Sequence, residues 1–392
     1  MKLEIKLSYR NLVGAGLRTW LNVFILSLAF VVMLFYNGMI EGWSRNGARD
    51  MIRTDVGAGQ YWMPSYDQMD PFSYKDAHQL GNAEVMTLIE DKTLAPVLIR
   101  EATAYPQGRM QGIVLRGMLP DQEALPDLPT AALRQAGDVP QVILGRRMAQ
   151  DLQLKEGDFM LIRWRDVHGA FDARQFQVGP IFNADNPAID YGQIYIHLKL
   201  LQEMCLLEGQ YSFLTLNPQR EFPGTLSGWV FHSQESLMAD FFQAINAERT
   251  GAMVVYFFLL LIGMLAIFDT QVLSVFRRTQ EIGTYIALGM TRAQVVGLFT
   301  VEGTMHSLFA VLMGALWATP LFLIIDKVGI NFGAMGADDF GYAMPQVVYP
   351  HYSPWIVALG VVTLVITSAL VSYIPARKIV KLKPADAIRG KR

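Results

Sequence analysis

The sequence predicts an α+β membrane protein, with four transmembrane helices and a large α+β extracytoplasmic domain inserted between helices 1 and 2 on helical stalks. Three observations carry that prediction. Four apolar segments have spanning length, Lys and Arg gather on one side of them, and the roughly 210 residues after the first segment have the composition of a water-exposed domain. Only 17% of the 392 residues are charged, against about a quarter in a soluble domain, while 52% are hydrophobic. The formal net charge of -2 excludes a generally basic protein that coats nucleic acid. A single cysteine, Cys205, excludes an internal disulfide and any CxxC metal or redox site.

The chain is expected to begin with a cytoplasmic amphipathic elbow segment over residues 1–18, carrying Lys2, Lys6, Arg10 and Arg18. Transmembrane helix 1 follows over 19–41, and its residues 20–40 are uncharged, enough at about 1.5 Å per residue to cross a hydrocarbon core of about 30 Å. This apolar run is too long for a signal-peptide core and no Ala-x-Ala site closes it, so it reads as an uncleaved anchor. The extracytoplasmic domain with its stalk helices occupies 42–250. Helical stalks are expected at 41–56 and 234–250; in the second, Leu237, Phe241 and Ile245 share one face. Between Gly and Pro breaks, strands are expected at 97–104, 112–117, 142–145, 158–164, 176–181 and 193–197, with a short helix at 148–154.

Transmembrane helix 2 is expected at 251–276, a cytoplasmic connection at 277–292, helix 3 at 293–325, an extracytoplasmic loop at 326–353, helix 4 at 354–376 and a basic cytoplasmic tail at 377–392. The N-terminal segment, the 277–292 connection and the tail together carry fourteen Lys/Arg, whereas 326–353 carries only Lys327. By the positive-inside rule both termini are cytoplasmic and the insert lies outside.

No catalytic motif is found. The Gly390-Lys391 pair lacks the spacing and the Ser/Thr of a phosphate-binding loop, and there is no His-Glu-x-x-His, no Gly-x-Ser-x-Gly and no Cys/His metal spacing. Asp269, Glu302 and His306 are ionisable groups inside apolar segments, and Glu302 and His306 share a helix face. A proton relay or substrate contact is one reading and a structural polar pair near the headgroups is the other; shallow depth favours the second. The 277–292 connection reads as a short amphipathic helix with Ile282 and Ile286 one turn apart, stopped at Gly289, followed by a Thr291/Gln294 capping box.

The stretch RRTQEIGTYIALGMTRAQVVGLFTVEG, which begins at Arg277, resembles the signature of FtsX-like and MacB-type ABC-transporter permeases, the type VII or mechanotransmission class. The resemblance extends to SYRNL at 8–12, GIVLRGMLPDQ at 112–122, VILGRRMAQDLQLKEGDFMLI at 142–162, FNADNPAIDYGQIYIHL at 182–198 and PARKIVKLKPADAIRG at 375–390. A departure is the thinned basic cluster before the first span, where Gly14 and Gly16 separate Arg10 from Arg18 and loosen the elbow. An insert of this size without a fused ATPase is closest in layout to LolC/LolE-type lipoprotein-releasing permeases.

The resemblance implies a non-enzymatic permease subunit of the bacterial inner membrane, paired with a second permease chain, identical or paralogous, and with two ABC ATPase subunits that hold ATP-Mg. It implies a coupling contact at Arg277, Arg278, Glu281, Gly283, Leu288, Gly289 and Arg292. It also implies a lipid-facing substrate surface between span one, at Phe24, Leu28, Val31 and Phe35, and span two of the partner, at Tyr256, Leu260 and Met264. Trp43 and Trp62 would be interface anchors. Extraction of a lipoprotein or other lipid-like substrate, with membrane lipid and a periplasmic chaperone or adaptor as further partners, is the leading expectation. Efflux of a drug or peptide with outer-membrane partners, mechanotransmission to a periplasmic enzyme and proton-driven transport are the alternatives. No cofactor, metal or nucleic acid is expected on this chain.

Overall fold

The computed structural model describes residues 16–134, 139–184, 187–222, 224–331 and 347–381. The expected elbow through residue 15 with its SYRNL stretch, most of the connection after the third span, and the basic tail beyond 381 lie outside the described residues. Two units divide the described chain. One contains residues 43–244, the other residues up to 42, 245–330 and 348 onward. Each boundary at 42/43 and 244/245 falls within a continuous helix.

The first helix, α1 (Leu17–Met51), is long because nothing in it breaks the ladder: it contains no proline, and its apolar stretch passes directly into a polar one. It gives way to a π-helical turn, Ile52–Val56, whose Thr54, Asp55 and Val56 are buried. Strand β1 (Gly59–Trp62) follows, then α2 (Ala83–Glu90), capped by the Asn82 side chain accepting from the Val85 N–H at 2.8 Å. Strands β2 (Leu94–Tyr105), β3 (Gln111–Met118) and β4 (Gln141–Gly145) lead into the short α3 (Arg146–Asp151). Strands β5 (Phe159–Arg165), β6 (Phe171–Phe182) and β7 (Gln193–His197) precede α4 (Leu198–Cys205), and β8 (Phe213–Leu216) and β9 (Val230–Ser233) complete the set.

These strands make one mixed sheet in the order β9-β1-β8-β2-β3-β7-β4-β6-β5, and β5 returns to pair with β2. The twelve-residue β2 therefore meets β8 along its first half and β5 along its second, so six strands close on themselves and three extend beyond them. β3–β7 and β4–β6 are parallel pairs. Strand β5 alternates strictly, with Met160, Ile162 and Trp164 inward. The first seven residues of β2 are all buried, because one apolar cluster with Leu94 and Leu98 covers one face and another with Val97 and Ile99 covers the other.

All six strands expected from the sequence exist. Three more, β1, β8 and β9, and the helices α2 and α4 have no counterpart in the sequence reading; β1, β8 and β9 are only four residues each, too short for alternation to register. The expected helix at 234–250 is interrupted at Met238, where a short turn Gln234–Leu237 stops before the next long helix begins.

Two ionic contacts fix the end of the π-helical turn to this sheet. The buried Arg116 on β3 donates from Nη1 to Asp55 Oδ1 at 2.5 Å and lies over the Phe213 ring at 5.8 Å. Arg53 makes an exposed pair with Asp127 through Nε and Nη2, at 2.5 and 2.6 Å. The motif stretches at 142–162 and 182–198 meet at Asp190, which is fully buried and accepts from the Arg147 N–H at 3.2 Å. Burial pushes the Asp190 carboxyl up to about 6.

The other unit is helical. With part of α1 it comprises α5 (Ala239–Arg277) from Ile245 onward, α6 (Thr279–Ala287), α7 (Arg292–Val328) and α8 (Pro354–Ala376). Among the described residues four helices are long and apolar enough to cross a membrane, over Thr19–Val56, Ala239–Arg277, Arg292–Val328 and Pro354–Ile379. Their shared core joins Val23, Leu26, Phe30 and Leu34 of α1 to Ile267 of α5, Ala310 of α7 and Leu364 of α8. Polar side chains also join these helices: Asn22 donates to the Ala266 carbonyl at 3.2 Å and to Thr270, and Arg249 pairs with Glu41 at 2.9 Å.

Asp55→Leu is expected to destabilise the strand-containing unit by about 3–5 kcal/mol, because Arg116 keeps its burial and loses its counter-charge. Asp55→Leu combined with Arg116→Met recovers most of that loss, as read by denaturant unfolding of the purified chain. A second expectation concerns pH. The folded Asp190 has a raised pKa, so its contribution is complete below the unfolded value of about 4 and is lost as pH rises through about 6. The stability of the natural chain relative to Asp190→Asn should therefore fall between about pH 4 and about pH 6 and level off above that, measured by thermal unfolding of both.

Candidate functional site

The junction of α5, α6 and α7 gathers the residues singled out by the sequence motif. Helix α5 ends at Arg277, and Arg278 (φ −101°, ψ 19°) leaves helical geometry before α6 starts. Helix α6 packs its apolar side inward: Ile282 is fully buried, with Tyr285 and Ile286 beside it, against Val275 of α5, Val295 and Phe299 of α7 and Ala376 of α8. Its chain reverses at Gly289 (φ +98°), a conformation that L side chains rarely adopt, and the Met290 N–H donates to the Tyr285 carbonyl at 3.0 Å. Thr291 then caps α7: the Gln294 N–H donates to Thr291 Oγ1 at 3.3 Å, and the Thr291 N–H donates to Gln294 Oε1 at 2.8 Å.

Arg278 is the centre of this junction. Its Nη1 donates to both oxygens of Glu302 at 3.0 and 2.9 Å, its Nε donates to Glu281 Oε2 at 2.7 Å, and its guanidinium lies 4.9 Å from the Phe299 ring centroid. The break before α6, the first turn of α6 and the third turn of α7 are thus tied by one side chain.

The residues expected to touch an ATPase therefore divide. Arg277, Glu281, Leu288, Gly289 and Arg292 are exposed, Leu288 at 79%. Gly283 is buried, and Arg278 is turned inward to neutralise Glu302; these two correct the expectation, since they shape the junction from within. Phe299 was not expected here, although its position three residues before Glu302 puts the two on one face of α7.

The intramembrane polar groups also separate. Glu302 and His306 are buried on α7, and His306 Nδ1 lies 3.1 Å from the Glu302 carbonyl. Asp269 sits on an exposed face of α5. Close by, Gly303 lets α8 approach so near that a Cβ there would stand 2.1 Å from Ser372 Oγ and 3.1 Å from Nε2 of the buried Gln271. Gln271 and Ser372 were missed because uncharged polar residues inside an apolar run leave no mark in its periodicity.

The expected substrate surface is only partly open. Phe24 and Leu28 are exposed, at 48% and 45%, and Leu260 and Tyr256 are half-buried. Val31 and Met264 lie inside the bundle core, and Phe35 is stacked on Phe322 at 6.3 Å, so these three are occupied by packing within the chain. Trp43 is buried and Trp62 stacks on His232 at 4.1 Å, which makes both packing residues rather than free anchors.

Residues 253–384, which include the whole junction, match the family model for the FtsX-like permease C-terminal region. The chain carries an FtsX-like permease domain. Beyond that domain, it is 20% identical over 340 residues to the lipoprotein-releasing system transmembrane protein LolC of Xylella fastidiosa, covering 80% of this chain and 81% of LolC. It is 29% identical over 133 residues to the ABC transporter permease YknZ of Bacillus subtilis, covering 33% of this chain and 28% of YknZ. It is 23% identical over 129 residues to the macrolide export ATP-binding/permease protein MacB of Agrobacterium fabrum, covering 33% of this chain and 17% of MacB. Among solved structures, the extracellular domain of the noncanonic ABC-type transporter YknZ from Gram-positive bacteria matches with a TM-score of 0.26 and 13% identity, over 42% of this chain and 83% of that one. These matches are to ABC-transporter permeases of the FtsX, LolC and MacB type.

Within the FtsX-like domain, Glu302→Gln keeps the shape of the clamp and removes its charge. Hydrogen bonds to charged groups contribute about 1.5–3 kcal/mol, so amide exchange across Thr279–Ala287 should accelerate about 10- to 100-fold in hydrogen-exchange mass spectrometry, with the strands β2 to β7 unaffected.

Proposed function

We propose that this chain is the membrane subunit through which a separate ATPase, binding ATP-Mg, drives conformational change in the strand-containing unit on the other side of the bacterial inner membrane. The observation that carries this reading is α6: a short helix whose inner face is anchored by Ile282 and the Arg278–Glu302 clamp, and whose outer face offers Glu281, Thr284, Ala287 and Leu288 to solvent. A leucine exposed at 79% on a turn held by a buried ion pair is suited to a socket on a partner protein. The Lys/Arg asymmetry supports a cytoplasmic location for both termini and α6, with the insert between the first two spans outside.

For substrate, the similarity to LolC over four-fifths of the chain supports extraction of a lipoprotein or another lipid-like molecule from the outer leaflet. The exposed apolar Phe24 and Leu28 on α1 and Phe257 and Leu261 on α5 supply a surface that an acyl chain wets as readily as a second permease chain does. The functional unit is two permease chains, identical or paralogous, with two ATPases, and a periplasmic chaperone or adaptor receives the released substrate. The shorter match to MacB keeps efflux of a drug or peptide as a second reading.

Purification in mild detergent should recover an ABC ATPase. Glu281→Lys and Leu288→Asp should each reduce the permease-dependent stimulation of ATP hydrolysis at least ten-fold without changing the unfolding of the strand-containing unit. Failure of the natural chain to bind or stimulate an ATPase would remove both the coupling reading and the cytoplasmic placement of α6.

A further inference from the structure

A groove of about 1030 Å³ runs between the first turns of α7 and the last turns of α8. It is at the upper end of ligand-sized clefts, which span about 300–1,000 Å³. Three cations stand at its mouth: Arg292 at the start of α7, and Arg377 and Lys378 just beyond α8. Among the described residues no Asp or Glu lines it. Two of the cations rest on aromatic rings, Arg377 on Tyr373 at 5.8 Å and Lys378 on Phe276 at 6.0 Å, which limits their freedom before any ligand arrives.

Away from the mouth the lining becomes apolar, through Val296, Gly297 and Val301 on α7 and Ile374 on α8. Val301 lies nine residues after Arg292, about 13 Å along the helix axis at 1.5 Å per residue. An occupant must therefore carry negative charge at one end and be apolar for about 13 Å beyond it, within helices that cross the bilayer. A soluble anion satisfies only the mouth, and a cytosolic protein does not enter the hydrocarbon. Gly297 widens the groove at mid-height: a Cβ there meets nothing within 4 Å.

We propose that this groove is a binding site for an anionic phospholipid, with its phosphate held by Arg292, Arg377 and Lys378 and one acyl chain lying along Val296, Gly297, Val301 and Ile374. Each cation near an anionic headgroup adds an attraction that a zwitterionic lipid lacks, so three distinguish the two by charge, and the groove adds apolar contact. The site is apart from the α1 and α5 surface offered above for substrate, and it shares only Arg292 with the expected ATPase contact.

The test uses the full chain purified in neutral detergent and examined by native mass spectrometry. The probes are phosphatidylglycerol and phosphatidylcholine of identical acyl chains, with inorganic phosphate in a separate arm. Phosphatidylglycerol should be retained about ten-fold more tightly than phosphatidylcholine. Arg377→Gln/Lys378→Gln should abolish that preference, and Lys327→Gln, at the opposite end of α7, should leave it intact. Gly297→Phe fills open space in the groove while every cation remains, and should weaken both lipids at least five-fold. Equal retention of the two lipids overturns the proposal. So does displacement of phosphatidylglycerol by millimolar inorganic phosphate, which assigns the mouth to a free anion. Undiminished binding to Gly297→Phe also overturns it, leaving only diffuse surface charge. Because Gly297→Phe alters no charge and improves helix propensity, it remains decisive if the double variant fails to fold.

Discussion

A carboxylate buried near the end of an apolar helix must have a counter-ion, and at Glu302 that requirement organises the whole junction. Arg278 reaches it only because the chain leaves helical geometry between α5 and α6, and in reaching it Arg278 also engages Glu281 and covers Phe299. Removing one partner of such a pair costs more than forming it contributes, since the survivor stays desolvated. Helix α6 is consequently fastened to α7 by charge and to α5 by its continuous chain, with Ile282 beneath. A push on its exposed outer face is met by two long helices rather than by a loose loop.

The strand-containing unit uses the same device. The π-helical turn that ends α1 buries Asp55, and Arg116 on β3 answers it, with Arg53–Asp127 as an exposed second contact. Arg116 belongs to the GIVLRGMLPDQ stretch and Asp190 to the second motif that meets the 142–162 stretch, so the motifs that carry the family resemblance are positions where charge is buried inside the sheet unit.

Legibility in the sequence followed the strength of the local signal. The apolar lengths of the spans, the Gly289 reversal and the Thr291/Gln294 capping box depend on neighbours within a few residues, and each was readable. The six strands found in advance are bounded by Gly or Pro. Strands β1, β8 and β9 have only four residues each and acquire their edges through partners over a hundred residues away, as β1 does with β8. The clamp was half legible: Arg278 and Glu302 were both singled out, but for separate roles, because nothing in a linear pattern tells a buried arginine from an exposed one. The packing of Val31 and Met264 inside the bundle core was illegible for a related reason. A membrane helix is apolar all round, so its hydrophobic face does not announce which side meets protein.

That ambiguity is resolved by filling rather than by polarity. Among the described residues, the space between the four long helices is occupied by Leu26, Phe30, Ile267, Ala310 and Leu364, and glycine positions such as Gly303 and Gly314 draw the helices together until side chains touch backbone. Apolar side chains remain on its outer faces, where Phe24 and Leu28 of α1 and Phe257 and Leu261 of α5 are exposed. An outward-facing apolar surface holds lipid when it holds nothing else. Among the described residues fixed charge gathers at the helix ends and at the buried clamp, with Asp269 on an exposed face of α5 as the exception.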